Sequence, residues 1–234
     1  KIAAIDQIYL INLPHRSDRR TNSIALLQTL HLNASIVPAL DIHSSQVLSR
    51  SSHLTRHARL TLVELACWAS HMQIWLHIAQ SSDQSSDQSS NQASDGWTLI
   101  FEDDVDVEMK MINILRSFPS QLWHQPDMIY LGHCGDPPGM LLFQGMDNYR
   151  IHRSINPSCT HAYAIRRRSA MKLVALLATP RRAIDDEIVR LNEEQQLLIY
   201  SIHPPVAIQQ KSNSSHPSDV NPVRDTWLYV LKKK

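Results

Sequence analysis

"TLIFEDDVDVE", residues 98–108, joins a buried-strand signal to a concentration of charge. Leu99-Ile100-Phe101 is a continuous apolar run, as expected of a strand in the middle of a sheet covered on both faces. It leads directly into Glu102, Asp103, Asp104, Asp106 and Glu108, five carboxylates within seven positions. Crowded carboxylates repel one another and lose hydration when covered, so their gathering needs a reason. In open α/β sheets, ligands bind beyond the carboxyl ends of the strands. Carboxylates there make a hard-oxygen site for Mn²⁺ or Mg²⁺, and the cation offsets their repulsion and can hold a diphosphate. The competing reading is a solvated acidic start to the next helix, favoured by the helix dipole. The residues alone leave both readings open.

Outward from this stretch, strand and helix signals alternate. "QIYLINL" (7–13) reads as a strand ending at Pro14, followed by helical spacing over 17–31 with Ser17 as N-cap. "SIVPAL" (35–40) reads as a strand and 41–59 as loop. Residues 59–80 give the strongest helix, with Thr61-x-x-Glu64 as a capping box and apolar positions from Leu62 to Ala79 at 3–4 spacing. Residues 97–102, 127–132 and 159–165 read as strands, 111–118, 167–179 and 185–195 as helices, and 137–139 as a turn. Residues 197–209 read as extended, broken at Pro204-Pro205. This order implies an α/β fold with a mostly parallel central sheet covered by helices. "SSDQSSDQSSNQASDG" (81–96) has almost no apolar residues and reads as a flexible low-complexity insertion within one domain spanning 1–234.

The 234 residues are 43% hydrophobic, enough for one sizeable core, and the net charge of +1 gives no field favouring nucleic acid. No apolar run reaches a membrane span. The chain opens on Lys1 rather than Met, and two Asn-x-Ser triplets occur, at Asn33 and Asn213. The expectation is a secretory-pathway lumen, with a signal or anchor upstream. Cys134 and Cys159 follow and begin neighbouring strands and are expected to pair, with Cys67 a free core thiol.

The segments "IYLINLPHRSDRR" (8–20), "LTLVELACWASHMQIW" (60–75), "LIFEDDVDVE" (99–108), "MIYLGHC" (128–134), "THAYAI" (160–165) and "AIDDEI" (183–188) occur in this order. Together they resemble glycosyltransferase family 25, which includes lipooligosaccharide glycosyltransferases and collagen galactosyltransferases. The resemblance implies a GT-A fold, a UDP-sugar donor with galactose favoured, inversion at the anomeric carbon, and a glycan or glycoprotein acceptor. It matches Glu102-Asp103-Asp104 to the family's acidic motif. Asp104 is then the leading metal ligand, Asp103 a ribose or metal partner, Glu102 a support behind them and Asp106 an alternative ligand. It also matches Ser70-His71 to a donor-side pair and Asp185, with Asp186 next, to the acidic position that would serve as base. His203 stands where some GT-A enzymes complete the metal shell. The chain departs from the family at Val63 and Ala66, where glycines are usual, and in the Ser/Gln insertion.

The residues themselves support parallel readings. Asn12, Arg16 and Arg19 end the first strand and can face a nucleotide, since arginine forks suit diphosphate oxygens; the alternative is a solvated helix face. Glu64, Cys67 and His71 share one helix face; the alternatives are a capping carboxylate and a hydrogen-bonded core histidine. Asp185 and Asp186 can take a proton from an acceptor hydroxyl or can cap a helix. Two other function classes compete: a noncatalytic sugar- or divalent-metal-binding module, and a two-metal phosphodiesterase suggested by 13 histidines that form no ligand motif.

Overall fold

The computed structural model describes residues 5–52, 60–81 and 96–210. The elements run β1 (Ile5–Asn12), α1 (Ser17–Thr29), β2 (Ser35–Pro38), α2 (Ser45–Ser52), α3 (Leu62–Gln80), β3 (Trp97–Glu102), β4 (Val105–Val107) and α4 (Met111–Ser117). They continue with β5 (Met128–Gly132), β6 (Pro138–Gln144), β7 (Arg150–Ser154), β8 (Ala162–Arg166), α5 (Arg167–Leu176), α6 (Ile184–Glu193), β9 (Ile199–His203) and β10 (Ala207–Gln209). The low-complexity stretch falls almost wholly on 82–95, outside the described residues. No helix among the described residues is long and apolar enough to cross a membrane.

Eight strands form one sheet in the order β2-β1-β3-β8-β5-β9-β7-β6. β2, β1, β3, β5, β9 and β6 share one direction, while β7 and β8 run against them. Six of the eight strands thus share a direction, as expected, while four of the seven pairings are antiparallel. β8 enters antiparallel between β3 and β5, and an apolar run buried on both faces reads alike in either direction.

Alternation of side chains across the sheet divides the core in two. Leu10, Leu99, Phe101, Ile129, Leu131, Ala162 and Ala164 face α1 and α4, together with Leu27, Met111, Ile114 and Leu115. Tyr9, Ile11, Ile100, Tyr130, Tyr163 and Ile165 face α3, α5 and α6. The capping box predicted for α3 is present: Thr61 Oγ1 accepts from the Glu64 amide, and the Glu64 carboxylate accepts from the Thr61 amide. α3 buries Leu65, Ala66, Ala69, Met72 and Trp75 of its expected stripe together with Trp68, Ile74 and Ile78, because α5, α2 and α6 pack around it, while Leu62 in its first turn is exposed.

Three local expectations change. Arg16, not Ser17, is the N-cap of α1, and no side chain caps it. Residues 45–52 of the expected loop are helical. Pro138 does not turn the chain but opens β6, an edge strand, where a missing N–H costs no ladder bond. The segment 197–209 is extended and broken at Pro204-Pro205, as expected, and its second strand, β10, pairs with β4 outside the main sheet.

Cys134 and Cys159 are bonded, as expected, and Cys67 is free. The bridge spans 25 positions, and a loop of that length restricts the unfolded chain by about 3.5 kcal/mol in the chain-entropy model. The double variant Cys134→Ser/Cys159→Ser should lose stability of that order in urea unfolding. A loss well under about 1 kcal/mol would show that the Asp136 carboxylate, which accepts from the Ile155 and Asn156 amides, already holds the loop.

Candidate functional site

The parallel register of β1 and β3 places Ile11 beside Glu102, so the two strands end side by side. Asn12 at the end of β1 donates through Nδ2 to Asp103 Oδ2 at 2.7 Å and to the Arg16 carbonyl at 3.0 Å. Arg19 Nη1, from α1, donates to Asp103 Oδ1 at 3.2 Å, and Ser23 Oγ donates to the Asp103 carbonyl at 2.8 Å. Asp103 is thus locked to α1. Burial raises its pKa despite the Asn12 and Arg19 contacts.

Asp104 is held differently. Its Oδ2 accepts from Gln209 Nε2 at 2.9 Å and lies 3.7 Å from Arg19 Nη1, and its carbonyl accepts from the Gln210 amide. Its Oδ1 is buried and has no hydrogen-bond partner. Burial, then the negative charge of Glu102, pushes the carboxyl up to about 7.

Glu102 ends a chain of directional hydrogen bonds. Trp75 Nε1–H donates to Tyr163 Oη at 2.9 Å. Tyr163 Oη lies 2.9 Å from His71 Nδ1, and His71 Nε2 lies 3.1 Å from Glu102 Oε1. A carboxylate only accepts, so Nε2 carries the proton and the Tyr163 hydroxyl donates to Nδ1. Thr160 Oγ1 also donates to Glu102 Oε1, at 2.7 Å. Burial works to raise the Glu102 pKa, but the hydrogen bonds from His71 and Thr160 outweigh it and hold the pKa below the usual value.

These carboxylates line a cleft of about 220 Å³. Its apolar wall is Ile11, Leu13, Ala39, Leu40, Ile42, Val63 and Ala66; its polar end carries Arg19, Ser70, His71, Glu102, Asp103, Asp104 and Gln209. Ser70 Oγ accepts from the Leu40 amide and donates to the Ala66 carbonyl, tying the wall after β2 to α3. Cys67, the free thiol expected, packs against the core on the α3 side and also lines the cleft, where it is partly exposed.

The other candidates lie around this centre. The Arg16 guanidinium forks onto Asp18, whose carboxyl it holds well below the usual range. Glu64 is used by its capping box. Asp185 accepts from the Cys159 amide and the Asp186 amide, at 3.1 and 3.0 Å. Its charge reaches Cys67 and Tyr130, as does that of Glu102. Asp186 is exposed; burial and Asp185 raise its pKa. Asp106 points outward from β4 and accepts from the Val107 amide. His203 stacks near His133 and His152, and burial and His133 push its pKa down to about 4. Neither Asp106 nor His203 lines the cleft. Gln209, Thr160 and Tyr163 had no sequence signal of their own, whereas the i, i+4 spacing of Cys67 and His71 was visible.

A family model described as glycosyltransferase family 25 (LPS biosynthesis protein) matches residues 5–136. The chain belongs to glycosyltransferase family 25. The matched part carries β1, α3, β3 and the acidic cluster. Among family 25 relatives, the chain is similar to procollagen galactosyltransferase 1 of Danio rerio, 31% identical over 54% of this chain and 21% of that protein. It is also similar to procollagen galactosyltransferase 2 of Homo sapiens, 26% identical over 54% of this chain and 20% of that protein. A third relative, the inactive glycosyltransferase 25 family member 3 of Homo sapiens, is 25% identical over 81% of this chain and 32% of its own length. The chain thus spans about a fifth to a third of the length of these relatives.

The raised Asp104 pKa fixes a sign. The folded protein holds this proton above the unfolded value, so stability falls as pH rises from about 4 through 7. Asp104→Asn should therefore unfold like wild type near pH 4 and become the more stable by up to about 4 kcal/mol above pH 7. Urea unfolding at a series of pH values checks this, and a difference independent of pH would remove the buried charge as the cause.

Proposed function

We propose that this chain is a glycosyltransferase domain of GT-A type, transferring a hexose from a UDP-sugar to a hydroxyl of a glycan or glycoprotein, with metal dependence and inversion. The observation that carries the proposal is the cleft at the ends of β1 and β3, apolar along one wall and closed by Arg19 and Asp104 at the other end. Galactose is favoured as the sugar because matched relatives are named procollagen galactosyltransferases. The Cys134–Cys159 bond supports a secretory-pathway lumen, where disulfides form and persist.

Asp103, Asp104 and Asp106 do not converge as three ligands among the described residues. The arrangement still fits Mg²⁺ or Mn²⁺, which such sites bind through one or two carboxylates together with substrate phosphates. The unpartnered Asp104 Oδ1 is the leading ligand atom. The cation, when bound, neutralises the charge that develops on the departing diphosphate. Arg19 supplies fixed positive charge beside Asp104, and Asn12 and Arg19 hold Asp103 so that Asp104 keeps its place. The apolar wall from Ile11 to Ile42 takes the uracil and ribose. Asp185 takes the acceptor proton. It accepts one backbone amide at each oxygen, and each oxygen keeps a second lone pair for the hydroxyl. Asp186, outside it, is the alternative base.

A second reading keeps the fold without the turnover: a noncatalytic sugar- or metal-binding module. Val63 and Ala66, the departures from the family's glycines, both stand on the cleft wall, and one relative matched over 81% of this chain is named inactive.

Donor calorimetry with Mn²⁺, combined with turnover, separates these readings. Asp104→Asn should lose Mn²⁺-dependent donor binding, with transfer and donor hydrolysis falling together. Asp185→Asn should bind donor nearly as wild type does and lose about 10²–10⁴-fold in transfer. Metal-dependent donor binding with no transfer from any acceptor favours the noncatalytic module. Unchanged donor binding in Asp104→Asn would remove the acidic cluster as the metal site.

A further inference from the structure

Cys67 and His71 lie one turn apart on the same face of α3, the i, i+4 relation that lets two side chains reach one point. Glu102 approaches that point from the end of β3. The thiol sulfur, an imidazole nitrogen and a carboxylate oxygen all lie within 4.8 Å of one another. A tetrahedral ion with bonds of about 2.0 Å to nitrogen and oxygen and about 2.3 Å to sulfur separates its ligands by roughly 3.3–3.8 Å. The His71–Glu102 edge measures 3.1 Å, and both edges to the thiol sulfur are within 4.8 Å. We propose that Cys67, His71 and Glu102 form a binding site for a thiophilic divalent cation such as Zn²⁺, chemically distinct from the oxygen site at Asp104.

Three further features fit. Cys67 is partly exposed and the Glu102 side chain is 22% exposed, so the fourth coordination position opens into the cleft. The far side of His71 is already supported: Nδ1 faces the Tyr163 hydroxyl at 2.9 Å, the kind of outer partner that orients a metal-bound imidazole. The charges of Glu102, Asp185, Asp104 and Glu64 surround the thiol and draw a cation toward it. Sulfur, absent from the Asp104 site, is what selects a softer ion over Mn²⁺ or Mg²⁺.

The proton balance is simple. Without the ion, the thiol and His71 Nε2 each carry a proton and Glu102 is ionised. On binding, the imidazole proton moves from Nε2 to Nδ1 and is donated to Tyr163 Oη, whose two lone pairs can accept from His71 and Trp75 together. The thiol proton leaves to solvent. The ion, one thiolate and one carboxylate then sum to zero charge. This site stands whether or not the cleft takes a nucleotide sugar.

Co²⁺ is the probe, because a thiolate ligand gives it a sulfur-to-cobalt charge-transfer band in the near ultraviolet. The full chain is prepared without reductant, and thiol titration in denaturant confirms that one free cysteine remains. One equivalent of Co²⁺ should produce the band and one equivalent of Zn²⁺ should abolish it. Cys67→Ser should lack the band, and Asp104→Asn should keep it. Tyr163→Phe should weaken Co²⁺ binding about 10–100-fold, as loss of an outer partner does. No band in wild type, a band surviving Cys67→Ser, or a band lost with Asp104→Asn would each overturn the site. Should Cys67→Ser fail to fold, protection of the wild-type thiol from alkylation by Co²⁺ supports the site, and unchanged alkylation overturns it.

Discussion

The buried contact of Asp103 with Asn12 and Arg19 is the constraint on which the candidate site rests. It joins the end of β1, the first turns of α1 and the turn after β3 in one cluster of hydrogen bonds. Removing one partner of such a buried pair leaves an uncompensated charge, typically at a cost of about 3–5 kcal/mol. The neighbouring position inherits the geometry. Asp104 follows directly and lines the cleft, where Gln209 of the β4–β10 ribbon holds one of its oxygens. Two adjacent aspartates thus divide the work, one structural and one with a buried oxygen left over.

Much of the fold was legible in the sequence because its signals are local. The apolar runs of β1, β3, β5 and β8, and the capping box and long apolar period of α3, need no knowledge of partners. What was not legible is what depends on pairing. The direction of β8 follows from which strands receive it, and nothing in "HAYAI" encodes that. The β6–β7 hairpin was hidden because Pro138 and Gly139 carry the signature of a turn, and only the edge position makes them acceptable in a strand.

The site divides along the same line. Its acidic residues were visible as a cluster, and the order of short motifs gave the family before any geometry. The roles inside the cluster were not visible, since five carboxylates in a row look alike. The structure separates them by surroundings: Asp103 is paired, Asp104 is crowded by Glu102, and Asp106 is turned outward by strand alternation. Glu102 is defined by His71, Thr160 and, through His71, Tyr163, residues 31 to 61 positions away in sequence.

Cys159 carries a consequence for how the end of β3 and the start of α6 can move. Its sulfur is bonded to Cys134, its amide is given to Asp185, and its neighbour Thr160 gives its hydroxyl to Glu102. Its backbone sits at a positive φ of 68°, which a cysteine rarely adopts, so this corner has little freedom to relax. The carboxylate at the start of α6 and the carboxylate at the end of β3 are therefore mechanically one part. A mutation that displaces either is transmitted to the other through the Cys159-Thr160 corner.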